Sequence, residues 1–183
     1  VRMDPHAIIA GITGSGKTMI QSLIGHQVLL RNGKLLVIDY KASADWDRPC
    51  FNEASIVNDA LSALNLLRDA MRDFLHRKEL LRHANARNID EYREKTGDDL
   101  CRVCIIVDEA ADLLCTPPTK EEKVLYDEIK SLLETLTRQG RSLGYIVIYG
   151  AQRPDQSFSG QIRSNCIRFC GNSSFVALLT TKG

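Results

Sequence analysis

Three glycines, a lysine and a threonine follow a short apolar run near the start of this 183-residue chain. The stretch from Gly11 to Thr18 fits the pattern G-x-x-x-x-G-K-[ST] without a mismatch. Glycines let the backbone fold closely around phosphate oxygens, and amide groups at the start of a helix favour an anion. The pattern therefore predicts a phosphate-binding loop for a nucleoside triphosphate such as ATP.

The residues of this loop have separate predicted roles. Lys17 is expected to reach the β- and γ-phosphates, and Thr18 is expected to be a ligand of Mg²⁺. The other predicted nucleotide-binding positions surround the phosphates, and they are Gly11, Thr13, Gly14, Ser15 and Gly16. A chance match by a glycine-rich loop is the alternative, which the preceding apolar run and the following amphipathic segment disfavour.

An acidic pair, Asp108 and Glu109, ends another apolar run, CRVCIIV. Asp108 is predicted to hold Mg²⁺ through its water shell, and Glu109 to polarise the water that attacks the γ-phosphate. The alternative is a strand that ends in solvated acids. A glutamate directly after the metal aspartate indicates a hydrolase, because a protein that only binds nucleotide needs no base.

Weaker candidates lie in the last third of the chain. Gln152 ends the run YIVIYGAQ, where its amide could sense the γ-phosphate or simply occupy a turn. Any single helix-surface arginine is usually solvated, but several arginines together suggest contacts with phosphate or with a neighbouring subunit. These are Arg138, Arg141, Arg153, Arg163 and Arg168.

Strand and helix patterns alternate along the sequence and must position these groups. Apolar runs predict strands at 6–10, 34–39, 101–109, 145–152 and 166–170. Helical periodicity predicts helices at 17–31, 56–81 and 121–139, and residues 85–99 are expected to form a polar connector. This order indicates a doubly wound α/β fold with a mostly parallel sheet flanked by helices, whose ligands bind at the carboxyl ends of the strands.

The composition is that of one globular domain, with 44% hydrophobic and 26% charged residues. The formal net charge of +1 does not by itself indicate a nucleic-acid or membrane partner. Six cysteines without a signal peptide favour reduced thiols, and for Cys101 and Cys104 a buried structural role is favoured over zinc. No apolar run approaches the length of about 18 residues that crosses a bilayer.

Six segments together resemble the FtsK/SpoIIIE branch of the FtsK/HerA DNA-pumping ATPases, in the family's order over nearly the whole chain. They are HAIIAGITGSGKT, LLVIDYKAS, ARNIDEYREK, IIVDEAADLL, RQGRSLGYIVIYGAQRPD and GQIRSNCIRF. The resemblance implies a RecA-like P-loop NTPase of the additional-strand, catalytic-glutamate type. It further implies a hexameric ring around double-stranded DNA, with single-stranded DNA as the alternative cargo. In such rings a neighbour's arginine completes the ATP site, here Arg163 or Arg168, with Arg138 and Arg141 as alternatives.

Two departures refine the resemblance. Compared with the chromosome-segregation members of the family, residues 1–183 have a shorter connector before the metal-binding strand and contain no winged-helix DNA reader. The short connector and the DYK variant resemble FtsK-like coupling proteins of conjugative elements in Gram-positive bacteria. We therefore expect residues 1–183 to be one motor domain, on the cytoplasmic side of a bacterial plasma membrane and anchored by segments outside this chain. DNA contacts are expected in the segment that follows Asp108 and Glu109, or around Lys120 to Lys123.

The predicted function is ATP-driven DNA translocation for conjugative transfer. The alternatives are an FtsK-like ATPase that drives protein secretion, a chromosome-partitioning translocase, and a nucleotide-switched assembly module that does not hydrolyse ATP. The intact set of Lys17, Thr18, Asp108 and Glu109 disfavours the last of these.

Overall fold

The structure, a computed structural model, describes residues 6–114, 119–152, 158–172 and 175–179. Side chains are described at all of these positions except 120, 121, 168–172 and 175–179. Seven strands of this part of the chain form one sheet. The strands are β1 (His6–Gly11), β2 (Lys34–Ile38), β3 (Ser55–Val57), β4 (Val103–Val107), β5 (Tyr145–Ala151), β6 (Cys166–Asn172) and β7 (Phe175–Leu179). Their order is β3-β2-β4-β5-β1-β6-β7. Only the pairing of β6 with β7 is antiparallel among these neighbours.

Helices follow most of the parallel strands. They are α1 (Lys17–Leu29), α2 (Ala60–His83), α3 (Ile89–Thr96), α4 (Ala110–Leu114), α5 (Lys120–Gln139) and α6 (Gly160–Asn165). Single 3₁₀ turns occur at Pro49–Phe51 and Arg141–Leu143. The arrangement confirms the predicted mostly parallel α/β fold. None of the described helices is long and apolar enough to cross a membrane.

The two faces of the sheet bury separate apolar clusters, because successive side chains along a strand point to opposite faces. On one face, Ile105 and Val147 pack with α2 and α5 residues such as Leu67 and Leu133. On the other face, Ile106 and Ile148 pack with Val28 of α1, together with Trp46 and Phe51. Strands buried on both faces explain the nearly continuous apolar runs in the sequence.

Three sequence predictions about this fold were wrong. Ile56 and Val57 belong to strand β3 rather than to the following helix, which begins at Ala60 after the Asp59 side chain accepts a hydrogen bond from the Ser62 N–H. The predicted connector at 85–99 contains helix α3. Cys104 is buried as expected, whereas Cys101 is exposed.

Candidate functional site

The phosphate loop leaves the carboxyl end of β1 and leads into α1. Gly14 and Gly16 adopt φ angles of 80° and 85°, a left-handed conformation that residues other than glycine rarely adopt. The Ser15 N–H donates to the Ile12 carbonyl at 3.1 Å, which closes the loop, and the Ile20 N–H donates to the Gly16 carbonyl as the helix begins. Strand β1 lies inside the sheet, between β5 and β6. The loop leaves the carboxyl end of this strand, and ligands bind at the carboxyl ends of strands in open α/β sheets.

The loop presents the groups that a bound phosphate requires. Thr13, Gly14 and Gly16 are exposed, so their backbone is accessible to a ligand. The Ser15 hydroxyl is buried and has no hydrogen-bond partner among the described residues. A buried polar atom without a partner is costly, and a phosphate oxygen is a suitable acceptor for such a hydroxyl.

The acidic pair lies directly after β4, next to β2 and β5. The Asp108 N–H donates to the Ile38 carbonyl at 3.0 Å, which ties the strand end to β2. On the β5 side, a Cβ atom on Gly150 would lie 1.9 Å from the Asp108 carbonyl oxygen. Only glycine permits this approach, so the backbone of both neighbouring strands fixes where the Asp108 carboxylate projects.

Asp108 is suited to bind a cation. Its residue surface is 6% exposed, and its Oδ1 atom has no hydrogen-bond partner among the described residues. Burial raises the pKa of this carboxyl, and the nearby Asp39 carboxylate raises it further, while a hydrogen bond with the Thr18 side chain and the charges of Lys41 and Lys17 oppose the shift. A positive ion beside Asp108 would relieve both the burial and the repulsion.

The oxygens of Thr18 and Asp108 are hard ligands of the kind that Mg²⁺ prefers, so the residues present fit this ion. The described residues contain no cluster of three or more His, Cys, Asp or Glu side chains that could hold a metal ion. Magnesium in nucleotide sites needs no such cluster, because it usually keeps several waters and takes one or two protein ligands together with substrate phosphates.

Both oxygens of the Glu109 carboxylate have partners. Oε2 lies 3.5 Å from Lys17 Nζ and 3.7 Å from Lys41 Nζ, and Oε1 accepts a hydrogen bond from the Gln152 N–H at 3.1 Å. The Glu109 side chain is only 5% exposed. Two ammonium groups and one amide donor compensate for burying this carboxylate, which would otherwise be strongly unfavourable.

The structure therefore brings together Lys17, Thr18, Asp108 and Glu109, four of the residues that the sequence nominated. Gln152 also reaches the site, but through its backbone N–H, while its side chain is exposed. The proposed contact of the Gln152 amide with the γ-phosphate stays a prediction.

Sequence reasoning missed three residues that build the site. Asp39 follows β2 and accepts hydrogen bonds from the Lys41 and Ser43 N–H groups at 3.1 and 2.6 Å. Lys41 contacts Glu109, as described above. Gln21 of α1 is fully buried and donates from Nε2 to the Val107 carbonyl at 3.2 Å, which ties the helix to β4. The available signal was the polar sequence DYK after a buried strand.

The candidate arginines lie elsewhere. Arg138 lies in the last turn of α5 and Arg141 lies in the 3₁₀ turn before β5, so both are at the amino-end edge of the sheet. Arg163 is in α6, directly before β6, whose first residue pairs with His6 at the start of β1. The six residues of β1 place this edge about 17 Å from the phosphate loop at ~3.3 Å per residue.

The remaining arginines give less information. Arg168 pairs with Ile8 in the middle of the sheet, and its side chain lies outside the described residues, as does the whole of Arg153. Of the segments considered for DNA contact, residues 115–118 and the side chain of Lys120 are also outside the described part, whereas Lys123 is exposed.

Several basic side chains at the amino-end edge line a cavity of about 620 Å³. The charged residues around it are Lys78, Arg87, Arg102, Arg138 and Arg141, with Asp90 as the acidic member. Arg102 Nη2 lies 3.2 Å from both Asp90 oxygens, and Arg87 Nε lies 3.0 Å from Glu91 Oε2. This basic cavity is separated from the phosphate loop by the length of the sheet.

Solved structures show the same architecture. The conjugation coupling protein TcpA of pCW3, solved in its monomer form with ATPγS, is 31% identical, with a TM-score of 0.85 over 92% of this chain and 49% of that protein. The ATPase EssC of Geobacillus thermodenitrificans has a TM-score of 0.73 at 16% identity, covering 92% of this chain and 32% of the other. The second likeness shows the fold alone.

Curated relatives agree in family but are much longer. The DNA translocase FtsK of Chlorobaculum tepidum is 31% identical over 178 residues, which is 88% of this chain and 21% of the relative. The DNA translocase SftA of Bacillus subtilis is 27% identical, covering 88% of this chain and 17% of the relative. The chain thus spans about a fifth of the length of the curated relatives it matches. Residues 1–156 match the model of the FtsK/SpoIIIE family, and the chain belongs to that family.

Proposed function

We propose that this domain binds ATP with Mg²⁺, hydrolyses it, and uses the energy to move DNA during conjugative transfer. The observation that carries the proposal is the contact between Glu109 Oε2 and Lys17 Nζ beside Asp108. This contact lies at the edge of the sheet from which the phosphate loop emerges. A site that only binds nucleotide requires Lys17 but gives no role to a buried glutamate beside it.

Phosphate binding and proton acceptance would be carried out by different residues of the chain. Lys17 would hold the β- and γ-phosphates, and the loop amides would orient them for attack from the side of Glu109. Glu109 would accept the proton of the attacking water, because its carboxylate is buried and held at both oxygens. Little covalent chemistry is needed from the protein, since phosphoryl transfer depends mainly on positioning and charge stabilisation.

Thr18 and Asp108 are the residues that would hold Mg²⁺, and the ion would supply neutralisation of phosphate charge when bound. The Oδ1 atom of Asp108, which has no partner among the described residues, supports this assignment. Asp39 also supports it, because its carboxylate adds negative charge near Asp108 while its own oxygens are occupied by backbone N–H groups.

DNA as cargo is supported by relatives that are named DNA translocases. Conjugative transfer is supported by the 31% identity and the high structural similarity to a conjugation coupling protein. Duplex DNA is the proposed substrate, with contacts made chiefly to phosphates and therefore weakened by salt. The EssC ATPases match at lower identity and share the fold, which says nothing about cargo.

We further propose a homo-hexameric ring, in which an arginine from one subunit completes the ATP site of the next. The position of Arg138, Arg141 and Arg163 at the amino-end edge supports action on a neighbour, since these residues are remote from their own phosphate loop. Residues 1–183 would form one motor domain of a longer protein, on the cytoplasmic side of a bacterial plasma membrane.

The test of this function is steady-state ATPase activity at fixed low salt, with duplex DNA, with single-stranded DNA and with no DNA. We expect several-fold stimulation by duplex DNA that is reversed as salt is raised. Hydrolysis that is indifferent to every nucleic acid, in a preparation shown to be hexameric, would contradict DNA translocation and favour the protein-secretion alternative.

A Glu109→Gln variant tests the hydrolytic step separately. The amide keeps the shape of the side chain but cannot accept the proton, so we expect turnover to fall by about a thousandfold while binding of ATP persists. Nucleotide affinity is measured with a fluorescent ATP analogue in the same buffer. Unchanged hydrolysis in this variant would overturn the assignment of Glu109 as the base.

A further inference from the structure

Lys41 contacts the proposed catalytic base but has no role in the mechanism described so far. Its Nζ atom lies 3.7 Å from Glu109 Oε2, the same oxygen that Lys17 Nζ approaches at 3.5 Å. We propose that Lys41 is a positioning residue that holds the Glu109 carboxylate in the orientation needed for water activation. This inference rests on the hydrolysis proposed above and deepens it.

The loop that carries Lys41 is fixed by backbone hydrogen bonds. The Asp39 carboxylate accepts from the Lys41 N–H through Oδ1 and from the Ser43 N–H through Oδ2, and the Ala42 N–H donates to the Asp39 carbonyl. Ala42 adopts a φ of 46°, which an alanine tolerates only where its surroundings hold it. The Lys41 backbone is therefore positioned before its side chain reaches Glu109, and this lowers the entropy lost in forming the contact.

The strand order explains why a residue after β2 can act on a residue after β4. These two strands are parallel neighbours, with Ile38 in register with Val107, so the segments that follow them leave the sheet side by side. Asp39 and Lys41 consequently lie beside Asp108 and Glu109, although the two segments are about seventy residues apart in sequence.

Lys41 complements Lys17 rather than duplicating it. The phosphate loop commits the Lys17 ammonium to phosphate oxygens, which compete with Glu109 for the same charge. Lys41 would then be the cation that remains on Oε2, while the Gln152 N–H stays on Oε1. Contacts at both oxygens fix the rotation of the carboxylate, and a base must be oriented within hydrogen-bond reach of the water it deprotonates.

The contact also differs from an ordinary surface ion pair. The Lys41 side chain is 48% exposed, but its partner is 5% exposed, so water and salt screen the interaction less than they screen a fully exposed pair. The half-exposed stem of Lys41 means that its replacement leaves no cavity in the core. The unfolding midpoint of a Lys41 variant, measured beside its activity, separates lost positioning of Glu109 from lost stability.

The experiment compares Lys41→Met, Lys41→Arg and the matched control Lys34→Met in the full chain. Lys34 is exposed and begins the same strand, at the amino-end edge of the sheet. We expect Lys41→Met to lower kcat about tenfold, with KM for ATP and the Kd of a fluorescent ATP analogue unchanged within about twofold. Lys41→Arg should recover much of the loss because it keeps the charge, and Lys34→Met should match the wild type.

A second readout is independent of activity. The midpoints of denaturant unfolding of Lys41→Met, Glu109→Gln and the double variant form a double-mutant cycle, and contact between the side chains requires non-additive shifts. Wild-type kcat in Lys41→Met, or additive shifts, would overturn the proposal. A raised Kd with unchanged kcat would also overturn it, because Lys41 would then hold phosphate rather than Glu109.

The two proposals fail in different ways. Full hydrolysis by Glu109→Gln would refute the base assignment on which both depend. Loss of hydrolysis in Glu109→Gln together with wild-type behaviour of Lys41→Met would leave the proposed function standing and refute the role of Lys41 alone.

Discussion

Buried polar groups at the two edges of the sheet differ in how completely they are hydrogen-bonded, and Arg77 and Asp108 are the clearest pair. At the amino-end edge, the buried Arg77 guanidinium has several partners: Nε pairs with Asp73 at 2.7 Å, and Nη1 donates to the Cys101 and Leu143 carbonyls at 2.7 and 3.1 Å. At the carboxyl-end edge, Asp108 Oδ1 and the Ser15 hydroxyl are buried and have no partner among the described residues.

This difference in hydrogen bonding separates Arg77, which stabilises the fold, from Asp108 and Ser15, which are available to a ligand. The hydrogen bonds of Arg77 stabilise the fold, because they direct its donors to backbone carbonyls and to Asp73 rather than to a ligand. A buried polar atom without a partner is a cost that a bound ligand can remove, and here such atoms lie beside a loop shaped for phosphate. Satisfaction of hydrogen bonds therefore distinguishes Arg77 from Asp108 and Ser15 better than the mere presence of buried charge does.

The largest expected effect is loss of nucleotide binding in Lys17→Ala. Each charge-assisted hydrogen bond to a phosphate contributes about 2 kcal/mol, so losing two of them should weaken ATP affinity by about a thousandfold. Titration with a fluorescent ATP analogue measures this effect. The control is Lys78→Ala, which removes an exposed lysine at the basic cavity and should leave affinity unchanged. Equal losses in both variants would contradict the distinction between the edges.

The next effect is on stability and concerns Arg77. Replacement by Met leaves the Cys101 and Leu143 carbonyls without their donor and removes the partner of Asp73, so we expect about 3 kcal/mol of destabilisation. Urea unfolding measures the change. Arg72→Met is the matched control, because Arg72 pairs with Asp69 on the exposed face of the same helix and should cost less than about 0.5 kcal/mol. Strongly weakened nucleotide binding in folded Arg77→Met would show that the edges are not independent.

A third test uses pH and His6, which begins β1 at the amino-end edge. Burial lowers the pKa of His6 from 6.5 to about 4, with a further contribution from the charge of Arg141, and Nδ1 accepts a hydrogen bond from the Val147 N–H at 2.9 Å. Because the folded-state pKa lies below the unfolded one, the stabilisation is complete above pH 6.5 and is lost as pH falls towards 4. The stability lost between these two pH values corresponds to about 3 kcal/mol.

Unfolding free energies measured from about pH 7.5 to about pH 4 should therefore fall in the wild type and fall less in His6→Asn, whose amide oxygen can accept the same hydrogen bond without titrating. His83→Asn changes an exposed histidine and serves as the control. Parallel curves for the wild type and His6→Asn would mean that other groups carry the acid sensitivity.

The smallest expected effect is that of Arg138→Ala and Arg141→Ala on the chain's own nucleotide site. Since both residues lie at the amino-end edge, ATP affinity of the isolated monomer should change by less than about twofold. Affinity is measured at protein concentrations where the chain is shown to be monomeric. A tenfold loss would indicate that these arginines reach their own phosphate loop, and would remove the support for their action on a neighbour.

The parts of the site that were predictable from sequence are those encoded locally. The phosphate loop needs glycines at 14 and 16 for its left-handed turns and a lysine at the helix start, all within a few residues. Asp108 and Glu109 follow a run of buried residues directly. In both cases the residue types and the element that presents them are contiguous in the chain.

Lys41 was not predictable because its role depends on strand order. Nothing in the DYK sequence shows that β2 pairs with β4, and only that pairing brings Lys41 to Glu109. The backbone donor at Gln152 depends in the same way on the pairing of β4 with β5. A single sequence therefore carries least information about contacts across the sheet.

Two of the missed elements differ in whether a local signal existed. β3 is a three-residue edge strand whose apolar residues continue the helical spacing of the segment that follows, so periodicity misassigned it. Helix α3 did have a signal: Asn88 accepts from the Glu91 N–H, the Glu91 carboxylate accepts from the Arg87 N–H, and Gly97 ends the helix with a φ of 81°. An asparagine followed three residues later by a glutamate is a recognisable helix start.

The contacts that complete the candidate site also determine when it can form during synthesis. Lys17 and Glu109 are separated by 92 residues, and Glu109 and Gln152 by 43. A chain emerging from the ribosome exposes the phosphate loop first, but Glu109 lacks its backbone donor at Gln152 until β5 has been made and paired with β4. Incomplete chains would thus carry the phosphate loop without the arrangement proposed to hydrolyse ATP. If that proposal holds, hydrolysis would be acquired at the last stage of folding rather than the first.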